Sequence, residues 1–443
     1  LDAYLPDDRA EMERRVREAS SAPVIAERDA EPFYAAADFV LTTHELANPR
    51  LRQIFLPMLP VAGRRGEELL IDCMRRGGGK GACSMPEDAF QSVCRHSDSC
   101  ALAGAAGFFA GIQDALIAVN GPMWCHYFAL RHVEHGVSDA VRRTGCTQLD
   151  NNAIVFGAED YLLEALQPYI AEPPRLLAIV SSCAAGLIGD DVAAIARSAG
   201  IAAPVVTVDS SGLAGSFAAG WSKAACAAIE ALLPEKKEEK PHGVNLLGMT
   251  ASYCNGANDA RELVRLLHLA GYEVNAVLGC GETAEELQHL PAAALNIVVH
   301  RELGLAPAEM LSERSGTPFV APLPPYGRAG TRHWLEEIAG ALPAPREKEV
   351  QEELSRVEKE DFLRLNEIKS MWGELWFDEA LVRAPSSMAW GLARALRTEW
   401  ADVRCLAVAA EAAQAADATG IADEVFSETR TAELAQFLAS MKN

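Results

Sequence analysis

Arg175-Leu-Leu-Ala-Ile-Val-Ser-Ser-Cys183-Ala-Ala-Gly-Leu-Ile-Gly-Asp-Asp191 is the stretch that decides the fold. Its first half is a short, continuous apolar run, as in a strand buried on both faces, and residues 187–199 are predicted to form the helix that follows. Pro204-Val-Val-Thr-Val-Asp209 repeats the strand, and a helix is expected over 216–233. Upstream, residues 101–119 are apolar with many small side chains and read as a helix or a helix–strand unit. Strands alternating with helices at this spacing imply a parallel sheet covered by helices.

The charged, proline-bounded segment Pro234-Glu-Lys-Lys-Glu-Glu-Lys-Pro241 reads as a linker. A second alternating block follows it. Strands are predicted at Val244-Asn-Leu-Leu-Gly-Met249, Glu273-Val-Asn-Ala-Val-Leu278, Leu295-Asn-Ile-Val-Val299 and Pro318-Phe-Val-Ala-Pro322. Helices are predicted over 258–270, 283–289 and 306–315, then a long charged one over 347–371. A third, shorter block has strands at Glu379-Ala-Leu-Val-Arg383 and Val403-Arg-Cys-Leu-Ala-Val408. The fold class is therefore α/β, with three Rossmann-like parallel-sheet domains in series, the last shortened, after a helical N-terminal segment. The expected boundaries are 1–90, 91–236, 242–345 and 346–443.

Composition narrows the function. The chain has 443 residues, 49% of them hydrophobic, which suffices for several cores. Acidic residues outnumber basic ones by 62 to 40, giving a formal charge of −22. Without a basic run, such a chain is expected to bind neither nucleic acid nor an anionic membrane surface. Leu1-Asp-Ala-Tyr-Leu-Pro6 has neither the basic start nor the apolar core of a secretory leader, so a cytoplasmic protein with reduced cysteines is expected. Arg76-Gly-Gly-Gly-Lys-Gly81 lacks the spacing of a phosphate loop and reads as a surface loop.

Three of the 11 cysteines stand out: Cys100, Cys125 and Cys183, each in a small, glycine-rich turn beside an apolar segment. A turn frees the sulfur and points amide N–H groups at it, and thiolates so placed suit iron–sulfur clusters. The bland alternative is a set of buried cysteines in tight turns. An odd number of ligands suggests that another chain completes the site. Gly186, Gly189 and Asp190 are expected to open the helix after Cys183, the glycines letting the backbone approach a bulky, negatively charged group. Cys73, Cys83, Cys94 and Cys146 read as loop cysteines, Cys226 and Cys405 as core, and Cys254 and Cys280 as strand-end loop residues. His126, His132 and His135 lack the spacing of a zinc helix and read as surface or interface residues. His300 ends a strand, where α/β sheets present ligands, although strand-end histidines are usually structural.

Together Gly121-Pro122-x-x-Cys125, Ile154-Val-Phe-Gly157-Ala-Glu159 and Ser182-Cys183-x-x-x-Leu187-Ile-Gly-Asp-Asp191 resemble the component 1 proteins of the nitrogenase superfamily. The spacings of 25 residues from Cys100 to Cys125 and 58 from Cys125 to Cys183 resemble the β-type subunit. So do Ser210-Ser-Gly-Leu-Ala-Gly-Ser216 and Glu282-Thr-Ala-Glu-Glu-Leu287, whereas Cys100-Ala-Leu-Ala-Gly-Ala105 resembles the α-type motif and 290–302 the B component of protochlorophyllide reductase.

The resemblance implies a heterotetramer with an α-type partner. It also implies an iron–sulfur cluster, eight-iron P-cluster type or 4Fe-4S, shared across the interface by Cys100, Cys125 and Cys183, with Gly121 and Gly186 beside it. Electrons would come from a separate ATP-dependent iron–sulfur reductase, and methylthio compounds are the favoured substrate. A cofactor-assembly scaffold, a nitrogenase or protochlorophyllide reductase subunit, and a plain sugar- or nucleotide-binding Rossmann array are the alternatives. The last is weakened because no Gly-x-Gly-x-x-Gly follows a strand. Where the family's β subunit can supply a serine, this chain has Gly212 with Ser211 beside it. The α subunit's cofactor cysteine falls near His300. The substrate-reducing centre is accordingly expected in the partner.

Overall fold

In a computed structural model, residues 99–211, 215–234, 239–373, 375–410, 420–427 and 431–441 are described. The predicted N-terminal helical segment, the glycine loop at 76–81, Cys73, Cys83, Cys94, Gly212 and half of the linker lie outside these residues.

The first sheet is wholly parallel. Its strands β1 (Ala115–Asn120), β2 (Thr144–Cys146), β3 (Leu176–Ser181) and β4 (Val205–Asp209) lie in the order β2-β1-β3-β4. All six residues of β3 are buried, as its apolar run requires. Leu176, Ala178 and Val180 face one core, and Leu177 and Ile179 face another with Leu162, Leu166 and Ile195. The helix expected over 187–199 is instead two, Cys183–Ile188 and Val192–Ser198, because Gly189 takes a left-handed φ of 80° and ends the first. Gly189 and Asp190 thus close a helix rather than open one, and Asp191 caps the second by accepting the Ala194 N–H.

The second sheet repeats this topology, with β5 (Lys240–Leu247), β6 (Glu273–Val277), β7 (Ala293–Val298) and β8 (Phe319–Val320) in the order β6-β5-β7-β8. The helix after β7, Arg301–Ser315, starts earlier than the expected 306. The third sheet is a parallel trio with β10 (Asp402–Ala410) between β9 (Trp376–Arg383) and β11 (Glu424–Ser427). Its core gathers Trp390, Ala393, Leu406 and Val408. The described residues all belong to one compact unit. A single core joins the first two sheets, running from Phe108, Phe217 and Trp221 to Leu247, Val298 and Leu311.

Backbone contact between two helices fixes the edge of the first sheet. A Cβ on Gly104, in helix Ala101–Gly111, would lie 1.9 Å from the Phe217 carbonyl oxygen, and one on Gly220 would lie 1.9 Å from that of Ala101. Only glycine permits so close a crossing of Ala101–Gly111 with Phe217–Leu232. The crossing is locked at its open end, where the Phe217 N–H donates to Ser99 O at 2.7 Å and Ala101 N–H to Gly215 O at 3.2 Å. At the other end Arg143 donates to the carbonyls of Ala110 and Ile112, acceptors at the helix terminus, and to that of Ala115 at the start of β1.

Candidate functional site

In a sheet of order β2-β1-β3-β4 the chain reverses direction between β1 and β3, and ligands bind beyond the carboxyl ends of the strands at that point. Asn120 pairs with Ser181, and Ser181 with Asp209, so β1, β3 and β4 end level. Cys125 is the third residue of helix Met123–Val133, which follows β1. Cys183 is the first residue of the short helix that follows β3. Cys100 caps helix Ala101–Gly111 and bridges to Ser216, the cap of Phe217–Leu232. All three thiols therefore stand at first turns of helices, where amide N–H groups and the helix dipole favour negative charge.

Gly121 is the pivot of this edge. A Cβ there would lie 2.5 Å from Ser182 Oγ and 2.6 Å from Ser182 Cβ, so the β1 loop can pass the β3 loop only without a side chain. Buried Ser182 accepts the Ala185 N–H and hydrogen-bonds Cys125, joining the two loops. Gly186 differs: a Cβ there would meet Ser211 and Asp209 at 3.6 and 3.7 Å, ordinary contact. Ser211 thus stands beside the turn that carries Cys183, and Ser210 fastens this loop by donating to Ser181 O at 3.0 Å. Asp190 reaches across to accept the Ala158 N–H at 2.7 Å, tying the Cys183 loop to the segment after helix Asn151–Phe156.

Burial, then the neighbouring thiols of Cys183, Cys100 and Cys146, push Cys125 up to about 11, while the Ser182 bond pulls it down. The half-buried Cys146 is a member of this group that its loop context did not reveal. Its strand β2 is three residues long, too short to show periodicity. Its thiol donates to Gly121 O at 3.3 Å and accepts the Gln148 N–H at 3.4 Å. Among the described residues no three His, Cys, Asp or Glu side chains are gathered closely enough for a single metal ion. The donor set is sulfur-rich, and a sulfide-bridged cluster, which offers several metal atoms, accepts more widely spaced sulfurs than one ion does. The residues present fit such a group.

The remaining candidates lie apart. Cys226 is half-buried on Phe217–Leu232, Cys405 lies on β10, and Cys254 is exposed. Burial pushes Cys280 up to about 12. His132 and His135 lie with ring centroids 6.4 Å apart but gather no third metal ligand among the described residues; His126 and His132 are half-buried and His135 is exposed. His132 packs on Phe217 at 4.9 Å, and His135 contacts Ser252 O at 3.0 Å, inside the crevice between the first two sheets. His300 is 4% exposed and precedes helix Arg301–Ser315.

The sequence profile of the family described as nitrogenase component 1 type oxidoreductase matches residues 100–441. The iron-molybdenum cofactor biosynthesis protein NifE of Clostridium pasteurianum is 30% identical over 292 residues, 64% of this chain and 62% of that protein. The nitrogenase molybdenum-iron protein alpha chain of the same organism is 32% identical, over 50% of this chain and 43% of that one. The B component of light-independent protochlorophyllide reductase from Synechococcus elongatus is 41% identical over 110 residues, 25% of this chain and 21% of that protein. The chain thus spans less than two thirds of the length of these relatives. A solved structure of nitrogenase Cp1 at pH 6.5 superposes with a TM-score of 0.60 at 23% identity, covering 78% of this chain and 72% of that one.

Proposed function

This chain belongs to the nitrogenase component 1 type oxidoreductases, and we propose that it is the electron-transferring, β-type subunit of a nitrogenase-like reductase. It holds an iron–sulfur cluster, of eight-iron or 4Fe-4S type, at the interface with an α-type partner in a heterotetramer. Its electrons come from an ATP-dependent iron–sulfur reductase. Reduction of the substrate takes place in the partner, the favoured substrate being the C–S bond of a methylthio compound. The observation that carries this reading is the placement of Cys100, Cys125 and Cys183 at three helix first turns around one switch point.

Within this chain, Cys100, Cys125 and Cys183 are the anchors. Gly121 and Ser182 keep the Cys125 and Cys183 loops in contact, and because burial holds the Cys125 thiol protonated, binding a cluster there would release that proton. A bound cluster would supply storage and relay of single electrons. A partner surface is supported by exposed apolar side chains: Met123 and Phe128, 46% and 61% exposed, on the Cys125 helix, Leu187, 78% exposed, on the Cys183 helix, and Phe156, 85% exposed, on the helix that Asp190 ties to the Cys183 loop. Exposure of several large apolar side chains at one edge marks an association surface.

The similarity to a cofactor biosynthesis protein favours one second reading, an assembly scaffold that holds a precursor cluster and turns nothing over. Anaerobic co-expression with the partner, followed by iron and sulfide analysis, tests the first element common to both. A preparation without iron would overturn both readings. Turnover of methylthio substrates with reductase and ATP supports the reductase, and an iron-loaded complex that turns nothing over supports the scaffold.

A further inference from the structure

The second sheet has its own switch point between β5 and β7, and there the chemistry differs. His300 follows the end of β7, and its Nδ1 is buried without a hydrogen-bond partner. Buried polar atoms in native proteins are paired as a rule, so an orphan calls for a partner that the chain itself does not supply. The neighbouring Glu302 does not play that role, since it accepts from the Ser387 N–H and hydroxyl and from the Tyr253 hydroxyl.

His300 borders a cavity of about 500 Å³, within the size range of small-molecule sites. Asp259, on helix Gly256–Leu269, and Tyr326, just before helix Gly327–Ala341, border it too, and Asp259 interacts electrostatically with both His300 and Tyr326. Burial lowers the affinity of His300 for a proton, which leaves the ring neutral and able to accept a hydrogen bond. Met249, Leu263, Val299, Pro324 and Leu354 supply apolar wall.

The charges around the cavity are unbalanced. The lining carries Asp259, Glu262, Glu353, Asp361 and Glu399 against Arg265, Arg328 and Arg364, and Arg356 outside the lining also pairs with Glu353. Ion pairs take up Glu262 and Glu353 with Arg265 and Glu399 with Arg328, which leaves Asp259 and Asp361 against the single Arg364. A cavity lined by an excess of one sign concentrates the opposite charge.

We propose that this cavity binds a small organic cation with an apolar body, an alkyl- or arylalkylammonium ion, whose charged head lies against Asp259 while His300 Nδ1 accepts one of its N–H groups. The apolar walls receive the body of the ligand, and the acidic excess rejects carboxylates of the same shape.

The test uses the full chain, purified anaerobically and titrated calorimetrically with 2-phenylethylammonium chloride, with 3-phenylpropionate and 2-phenylethanol as anionic and neutral counterparts. The expected result is saturable binding of the ammonium ion, weaker binding of the alcohol and none of the carboxylate. Asp259→Asn and His300→Phe should each weaken the ammonium ion by roughly tenfold or more, the effect of losing a charge-assisted hydrogen bond. If His300→Phe fails to fold, Asp259→Asn, a change at a half-buried helix position, decides alone. No saturable binding, equal binding of the carboxylate or the alcohol, or an unchanged Asp259→Asn variant would overturn the proposal. The reading is separate from the cysteine site, because Cys183→Ala should bind the ammonium ion unchanged whatever it does to the iron content; a loss of binding in that variant would also overturn it.

Discussion

The first and second sheets share one strand order and one topological crevice, yet they present opposite environments there. Beyond β1 and β3 stand half-buried or exposed sulfurs, with large apolar side chains open to solvent beside them. Beyond β5 and β7 stands a buried imidazole, closed in by Tyr326 and by the helix Glu347–Trp372 that follows the second sheet. Topology therefore chooses where ligands go, and the covering elements choose which kind. Among the described residues the first crevice is uncovered, and it suits a site completed by another chain. The second is roofed from within and suits a small molecule.

The comparison breaks most directly at the sulfurs. Cys183→Ala should remove most of the iron from the complex, whereas Cys226→Ala, whose thiol lies away from the sheet edge, should keep it. Iron and sulfide analysis of the two variants side by side checks this, and equal iron in both would count against ligation at the first crevice.

The glycines give the next largest effect. Gly121→Ala forces a Cβ against Ser182, and Gly104→Ala forces one against the Phe217 carbonyl. Each should cost roughly 1–3 kcal/mol of stability, as overpacking does, read as a lowered urea midpoint. Gly186→Ala meets only ordinary contacts and should leave the stability within about 0.5 kcal/mol of the parent. A Gly186 variant as damaged as the Gly121 variant would show that the steric argument is misplaced.

Glu282 sharpens the comparison from the buried side. Its carboxylate accepts the N–H groups of Gly279 and Cys280, yet burial outweighs those bonds and pushes it up to about 8. The folded chain therefore holds this proton over a range in which the unfolded chain has lost it. Its stabilising contribution is complete below the ordinary carboxyl range near 4.5 and is lost as pH rises through about 8. Glu282→Gln should flatten the fall in stability between those values, measured by denaturant titration at several pH values. A slope as steep as that of the parent would assign the pH dependence elsewhere.

The smallest effect concerns Asp190. Asp190→Ala removes the acceptor for the Ala158 N–H and should cost about 1 kcal/mol. It should also raise hydrogen exchange at Ala158, and an unchanged exchange rate would show that the bond does not hold the two loops together.

The fold was legible because buried parallel strands advertise themselves. The runs at 175–182 and 204–209 announce β3 and β4, and the second sheet's strands were visible for the same reason. β2 and β11 escaped notice, since three or four residues carry no period. The break at Gly189 escaped notice because the local sequence allows either one helix or two, and only the backbone angle decides. The site was legible to the extent that turn cysteines are. Cys100, Cys125 and Cys183 could be named from their contexts, but Cys146 comes near Cys125 through the pairing of β2 with β1, which involves residues far apart in the chain. The His132 and His135 contacts depend on how the first sheet meets the second, and no local pattern records that.

The bond between Asp190 and Ala158 has a consequence for association. It links the segment after Phe156 to the loop after Leu187, so the two most exposed large apolar side chains of the cysteine edge are held on coupled supports. Ordering flexible loops at the moment of docking subtracts from affinity, at about 0.5–1.5 kcal/mol for each rotamer-rich side chain immobilised. A surface whose backbone is already tied together carries less of that entropic cost, so a docking chain would meet a preformed apolar step instead of two independent loops.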